Sequence, residues 1–279
     1  MKFHASVPAK AMPKVALSAS VGLAAYWGYL FFNQTRHVFS PAVRKHVVEH
    51  ADHPNITPVE LPVAPGVVLE GWVVQPAGRD VQPTPGPCAI YFGGRSEDVR
   101  WLCEEASGFG QLPLVFFNYR GYGRSGGVPN EQVMVSDAKA IHAWVKTQPW
   151  CDPSRLSLIG RSLGTGVAMQ LASSVPVHKL ALFTPYDNLV SVARRKVPLA
   201  PVSLLLRSKF NSAAHAVQVR CATLILLAEK DTVVPHSSSL GLMKHFPVKP
   251  LVATVKGSDH VSVPHDRDAQ ALVGQFLTA

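Results

Sequence analysis

The segment Arg155–Gly166, RLSLIGRSLGTG, constrains the fold of this chain more than any other. Leu156, Leu158 and Ile159 form a short apolar run that reads as a buried strand. It passes directly into Gly160-Arg161-Ser162-Leu163-Gly164, and the helix-like run VAMQLASS follows. A strand, a tight G-x-S-x-G turn and a helix form a strained elbow that lifts a serine hydroxyl clear of a sheet. The neighbours of that serine must be small, because the turn brings backbone against backbone. Ser162 is therefore the candidate nucleophile, and the Leu163 N–H, at a helix N-terminus, is a candidate oxyanion donor. A second copy of the motif, Gly123–Gly127 around Ser125, lies in a glycine-rich loop without the flanking strand and helix. It is expected to be structural.

A serine nucleophile needs a base, and the base needs an orienting group. The run Ala222–Ala228, ATLILLA, reads as a strand buried on both faces, and Asp231 follows it. The run Pro250–Val255 is a further strand, and His260 lies on the loop beyond it. Ser162, Asp231 and His260 thus occur in the Ser…Asp…His order expected of this elbow, each just past a strand. Asp187 is the main rival acid. Asp259 is a weaker one, because a neighbour in sequence seldom faces the histidine ring. The second oxyanion donor is expected on the loop after Cys88–Phe92, where Gly93-Gly94-Arg95 allow close backbone approach. The Arg95 N–H is the first choice and Gly94 the second.

The segments YFGGR, FFNYRGYGRSGG, LIGRSLGTG, LLAEKDTVVP and KGSDH resemble the α/β-hydrolase superfamily, from about Leu61 to Leu277. The resemblance is closest to a small branch of membrane-anchored serine hydrolases whose relatives include protein depalmitoylases, often labelled prolyl-oligopeptidase-like. It implies a Ser162–Asp231–His260 triad and hydrolysis of an acyl bond without metal or cofactor. Gly93 departs from the family's usual His-Gly at that position. The implied fold is α/β, a mainly parallel sheet with helices on both faces. Alternation of strand-like and helical stretches from Val67 onward agrees with this. Gly66–Gln75 reads as an early antiparallel strand, and Asn130–Lys146 as a helix with Asn130 as N-cap.

The apolar run Val15–Phe32 carries no charge; Lys2, Lys10 and Lys14 precede it and Arg36 closes it. Tyr26, Trp27 and Tyr29 suit an interfacial belt. This predicts a single-pass membrane anchor, with Arg44 and Lys45 leaving its orientation balanced. A signal peptide and a buried amphipathic helix are the rivals; the bulky Tyr29–Phe32 end suits signal cleavage poorly. Residues 1–40 are then anchor and linker, and 41–279 the α/β-hydrolase domain. Within it, 188–218 read as a small cap bearing Pro198, Pro201 and the apolar run Val202–Leu206. The four cysteines show no zinc spacing and read as free thiols. The net charge of +9 comes from scattered basic residues, Arg194-Arg195-Lys196 being the densest group. No nucleic-acid motif surrounds them, so the expected partners are an acyl substrate, small or lipid-like, and a membrane. A serine peptidase and a non-catalytic binding protein on the same scaffold are the alternatives.

Overall fold

A computed structural model describes residues 12–41, 54–76 and 84–279, with side chains in the first segment from Ala19 onward. The chain runs α1 (Met12–Val38), β1 (Ile56–Ala64), β2 (Val67–Val74), β3 (Gly86–Phe92), α2 (Leu102–Glu105), β4 (Leu114–Phe117) and α3 (Glu131–Val145). It continues β5 (Cys151–Arg161), α4 (Leu163–Ala172), β6 (Lys179–Phe183), α5 (Leu189–Lys196), α6 (Val202–Leu205), α7 (Ser212–Ala216) and β7 (Ala222–Ala228). It closes with α8 (His236–Met243), β8 (Leu251–Val255) and α9 (Arg267–Thr278).

The strands form one sheet in the order β1-β2-β4-β3-β5-β6-β7-β8. β1 with β2, and β2 with β4, pair antiparallel; the remaining neighbours are parallel. Pro58 and Pro62 sit on β1, an edge strand, where a missing N–H costs no ladder bond. β3, β4, β6, β7 and the Leu156–Gly160 half of β5 are mostly apolar and buried because helices cover both faces. On one face α3 and α4 bury Met134, Ile141, Val167 and Leu171 against Ile90 and Leu158. On the other, α2 and α9 bury Leu102, Val273 and Leu277 against Tyr91 and Ile159. The side chain of Asn130 accepts the Val133 N–H and starts α3 where the sequence places its cap. β5, β7 and β8 run parallel, so the loops bearing Ser162, Asp231 and His260 emerge at one edge of the sheet.

Two expectations are corrected. Among the described residues, no helix is long and apolar enough to cross a membrane, so the single-pass anchor and the membrane localisation built on it are withdrawn. From Ala19 on, α1 carries Ser20, Asn33, Gln34, Thr35, Arg36 and His37. Two of its polar side chains find partners elsewhere on the protein. Trp27 Nε1 donates to the Leu199 carbonyl at 2.9 Å, and Gln34 Oε1 accepts the Arg207 N–H at 2.8 Å. The guanidinium of Arg207 stacks over the Phe31 ring at 4.1 Å. Lys2, Lys10, Arg44 and Lys45, which bore on orientation, lie outside the described residues, as do the side chains of Lys14 and Val15–Ser18. The second correction concerns the thiols: Cys88 and Cys151 form a disulfide, while Cys103 and Cys221 are free. The pairing follows from the sheet, since β3 lies beside β5 and brings the two Cα atoms to 5.8 Å.

Gly164 shows how tightly the elbow is packed: a Cβ there would lie 2.1 Å from the Phe92 carbonyl oxygen. Gly164→Ala is expected to lower stability by about 1–3 kcal/mol. Gly241, inside α8, has nothing within 4 Å of its would-be Cβ. Gly241→Ala should raise stability by about 0.5–1 kcal/mol. Urea unfolding of the two variants beside the parent checks both signs.

Candidate active site

Ser162 has φ 50° and ψ −116°, a left-handed conformation that a non-glycine residue rarely holds. Two contacts hold it: its N–H donates to the Phe183 carbonyl at 3.0 Å, and Thr165 Oγ1 donates to its carbonyl at 2.6 Å. Gly160 and Gly164 make the turn sterically passable. A Cβ on Gly160 would meet the Gly164 carbonyl at 2.8 Å. The Ser162 side chain stays partly exposed at the start of α4.

Ser162 Oγ lies 2.8 Å from His260 Nε2, and His260 Nδ1 lies 2.8 Å from Asp231 Oδ2. The sheet thus brings the three predicted residues into one hydrogen-bonded chain. Asp231 Oδ1 accepts the Val233 and Val234 N–H groups, both at 2.8 Å. Burial alone would push its carboxyl up. The hydrogen bond and charge of His260, with the two backbone donors, outweigh burial and hold it below the ordinary aspartate value. An ionised Asp231 accepts the Nδ1 proton, so Nε2 is left to accept from the Ser162 hydroxyl.

The rivals are occupied elsewhere. Asp187 Oδ1 accepts from the Asn188 N–H, Ser191 Oγ and Ser238 Oγ, which tie α5 to α8. Asp259 Oδ1 accepts from the Val261 and Ser262 N–H groups and Ser262 Oγ in its own turn. Ser125 is buried; its Oγ donates to the Asn118 carbonyl at 2.8 Å and accepts the Glu70 N–H at 2.9 Å. It braces the glycine-rich loop and meets no histidine.

The loop after β3 corrects one donor. The Gly94 N–H donates to Glu97 Oε2 at 2.6 Å and is not free for a substrate oxygen. Among the described residues, the Arg95 and Leu163 N–H groups have no acceptor. Sequence reasoning missed what positions this loop. The Glu97 side chain, only 7% exposed, also accepts from Tyr91 OH and Trp101 Nε1 at 2.9 Å each, and from Arg161 Nη1 at 2.9 Å. Arg161 Nη2 then donates to the His260 carbonyl at 3.0 Å. One ion pair therefore joins the loop after β3, the elbow and the histidine loop. The only sequence signal for it was a charge at the variable position before Ser162. Tyr119 OH donates to the Gly93 carbonyl at 3.0 Å and braces the loop at that position. A Cβ at Gly93 would lie 2.6 Å from Val99 Cγ1, so glycine suits this packing.

Removing one member of a buried ion pair leaves the other charge unpaired. Glu97→Ala should therefore cost about 3–5 kcal/mol of stability. The double variant Glu97→Ala/Arg161→Ala should lose less than the sum of the single losses, by about 0.5–3 kcal/mol, in a double-mutant cycle read by urea unfolding.

Comparison with known proteins places this geometry. Residues 107–194, less than half of the chain, match the X-Pro dipeptidyl-peptidase (S15) family. An uncharacterized protein of Mycobacterium tuberculosis is 29% identical over 82% of this chain and 81% of its own length. The lysophosphatidylserine lipase of Danio rerio is 34% identical over 144 residues, 44% of this chain but only 36% of the lipase. Among solved structures, an esterase of Pyrococcus furiosus superposes with a TM-score of 0.65 at 19% identity, covering 85% of this chain and 98% of the esterase. An acetyl xylan esterase of Paenibacillus superposes at 0.60 and 19% identity, covering 89% and 92%. The elbow, the sheet order and these likenesses agree, and the chain is an enzyme of the α/β-hydrolase superfamily.

Proposed function

We propose that the protein is a serine hydrolase that cleaves a carboxylic ester or thioester through an acyl-enzyme on Ser162. The observation that carries this reading is the unbroken chain Ser162 Oγ–His260–Asp231, with 2.8 Å at each link. His260 Nε2 takes the hydroxyl proton as Ser162 Oγ attacks the carbonyl carbon. The tetrahedral oxyanion lies on the Leu163 and Arg95 N–H groups, donors each worth roughly 3–4 kcal/mol in the transition state. His260 then protonates the leaving oxygen or sulfur, and the carbonyl re-forms as the acyl-enzyme. Water, deprotonated by His260, attacks the acyl carbon, and His260 returns that proton to Ser162 Oγ as the bond to the acyl group breaks and the acid leaves. Asp231 holds the ring in the Nδ1–H tautomer and stabilises the imidazolium. Every step runs on these side chains and backbone donors. The lipase and esterases among the similar proteins support a small-molecule or lipid-like acyl substrate.

A peptidase is the second reading, favoured by the S15 match over residues 107–194. That segment holds Ser162 but neither Asp231 nor His260. Parallel assays on p-nitrophenyl esters and on X-Pro p-nitroanilides separate the two; faster turnover of the anilides would support the peptidase.

The acid gives the sharper test. Asp231→Asn should lower kcat on p-nitrophenyl esters by about 10⁴, because the amide favours the wrong imidazole tautomer. Asp187→Asn should cost far less, since Asp187 contacts Ser191 and Ser238 and not the ring. The reverse ranking would move the orienting acid to the loop after β6.

A further inference from the structure

We propose that the last turns of α1 form one wall of an acyl-chain cavity, so that this helix sets which chain lengths the enzyme accepts. The proposal rests on the hydrolase reading of Ser162. A cavity of about 330 Å³ lies between α1 and the α5–α6 segment. α1 contributes Leu30 and Val38, and the facing wall contributes Val197, Val202 and Leu206. Arg95 lines the same cavity. It also carries the N–H proposed to hold the oxyanion. Arg95 is thus the residue that the cavity and the proposed oxyanion site share, and the proposal runs the acyl chain from the one into the other.

α1 is docked by directional contacts, so the wall has a defined position. Trp27 Nε1 and Gln34 Nε2 donate to the Leu199 and Leu205 carbonyls, at 2.9 and 3.2 Å. Phe39, just past the helix, is buried with its ring edge-on to Phe210 at 6.3 Å between centroids. The Tyr122 hydroxyl, from the glycine-rich loop, bridges the Phe39 and Arg95 carbonyls. The end of α1 and the loop after β3 therefore share one hydrogen-bonding group. At roughly 30 Å³ per carbon-sized group, the share one water takes in the liquid, 330 Å³ holds on the order of ten carbons of one chain. The substrate class is an ester or thioester of a single, medium-length, straight acyl chain.

The test uses the full chain and p-nitrophenyl esters from acetyl to palmitoyl. In the parent, kcat/KM should rise by up to about fourfold per added methylene, to a maximum near octanoyl or decanoyl, and fall at palmitoyl. Leu30→Trp, from α1, and Val197→Trp, from the facing wall, should each lower the octanoyl-to-acetyl ratio of kcat/KM by at least about tenfold. Leu240→Trp, at an exposed site on α8, should leave the ratio as in the parent. If one cavity variant fails to unfold cooperatively, the other carries the test from the opposite wall. Unchanged ratios in a folded cavity variant that still cleaves the acetyl ester would overturn the cavity assignment and leave the hydrolase reading intact. No turnover of any ester and no covalent fluorophosphonate adduct in the parent would overturn both.

Discussion

The backbone of Ser162 is the constraint on which the rest of the site depends. At φ 50° the residue sits where a side chain is strained, and a cost of order 1–3 kcal/mol persists only if the surroundings enforce it. Here they do. The peptide N–H of Ser162 is bound by β6, its carbonyl by Thr165, and α4 starts at the next residue. Gly160 and Gly164 are needed because larger residues would collide with backbone, Gly164 with the end of β3 itself. The same close approach that permits the strained serine brings the loop after β3 against the start of α4. The candidate nucleophile and the candidate oxyanion donors are thus placed by one packing event.

A second layer of order comes from charge. A carboxylate as buried as Glu97 would be costly alone; it is kept by four donors, one of them the Arg161 guanidinium. These donors come from β3, the loop after it, the helical turn beyond and β5. Arg161 also holds the carbonyl of His260, so the candidate base is positioned from its backbone as well as from Asp231. A hydrophobic pair of equal volume could stabilise the core as well, but it could not fix three loops in register.

Much of this was legible from the amino-acid order. The elbow declared itself because strand, turn and helix signals coincide within Arg155–Ala172. Asp231 and His260 could be proposed because ATLILLA and PLVATV are clear apolar runs, matching the buried strand β7 and the partly exposed edge strand β8. The illegible parts are contacts between residues distant in sequence. Nothing in Gly93-Gly94-Arg95 shows that Glu97 captures the Gly94 N–H, and nothing near Cys88 points to Cys151. The reading of Val15–Phe32 failed for a related reason. An apolar stretch with aromatic ends reads the same whether it enters lipid or docks one side on its own protein, and here Val21, Tyr29 and Phe32 stay exposed. The Trp27 and Gln34 contacts to the α5–α6 segment, some 170 residues on, dock the C-terminal half of the helix on its own protein.

The central claim is that Ser162, and no other serine, is the nucleophile. The most direct measurement is mass-spectrometric mapping of the adduct formed with a fluorophosphonate. A single covalent adduct on the peptide containing Ser162, lost in Ser162→Ala and retained in a folded Ser125→Ala, is the predicted result. An adduct on the Ser125 peptide, or labelling that persists in Ser162→Ala, would contradict it.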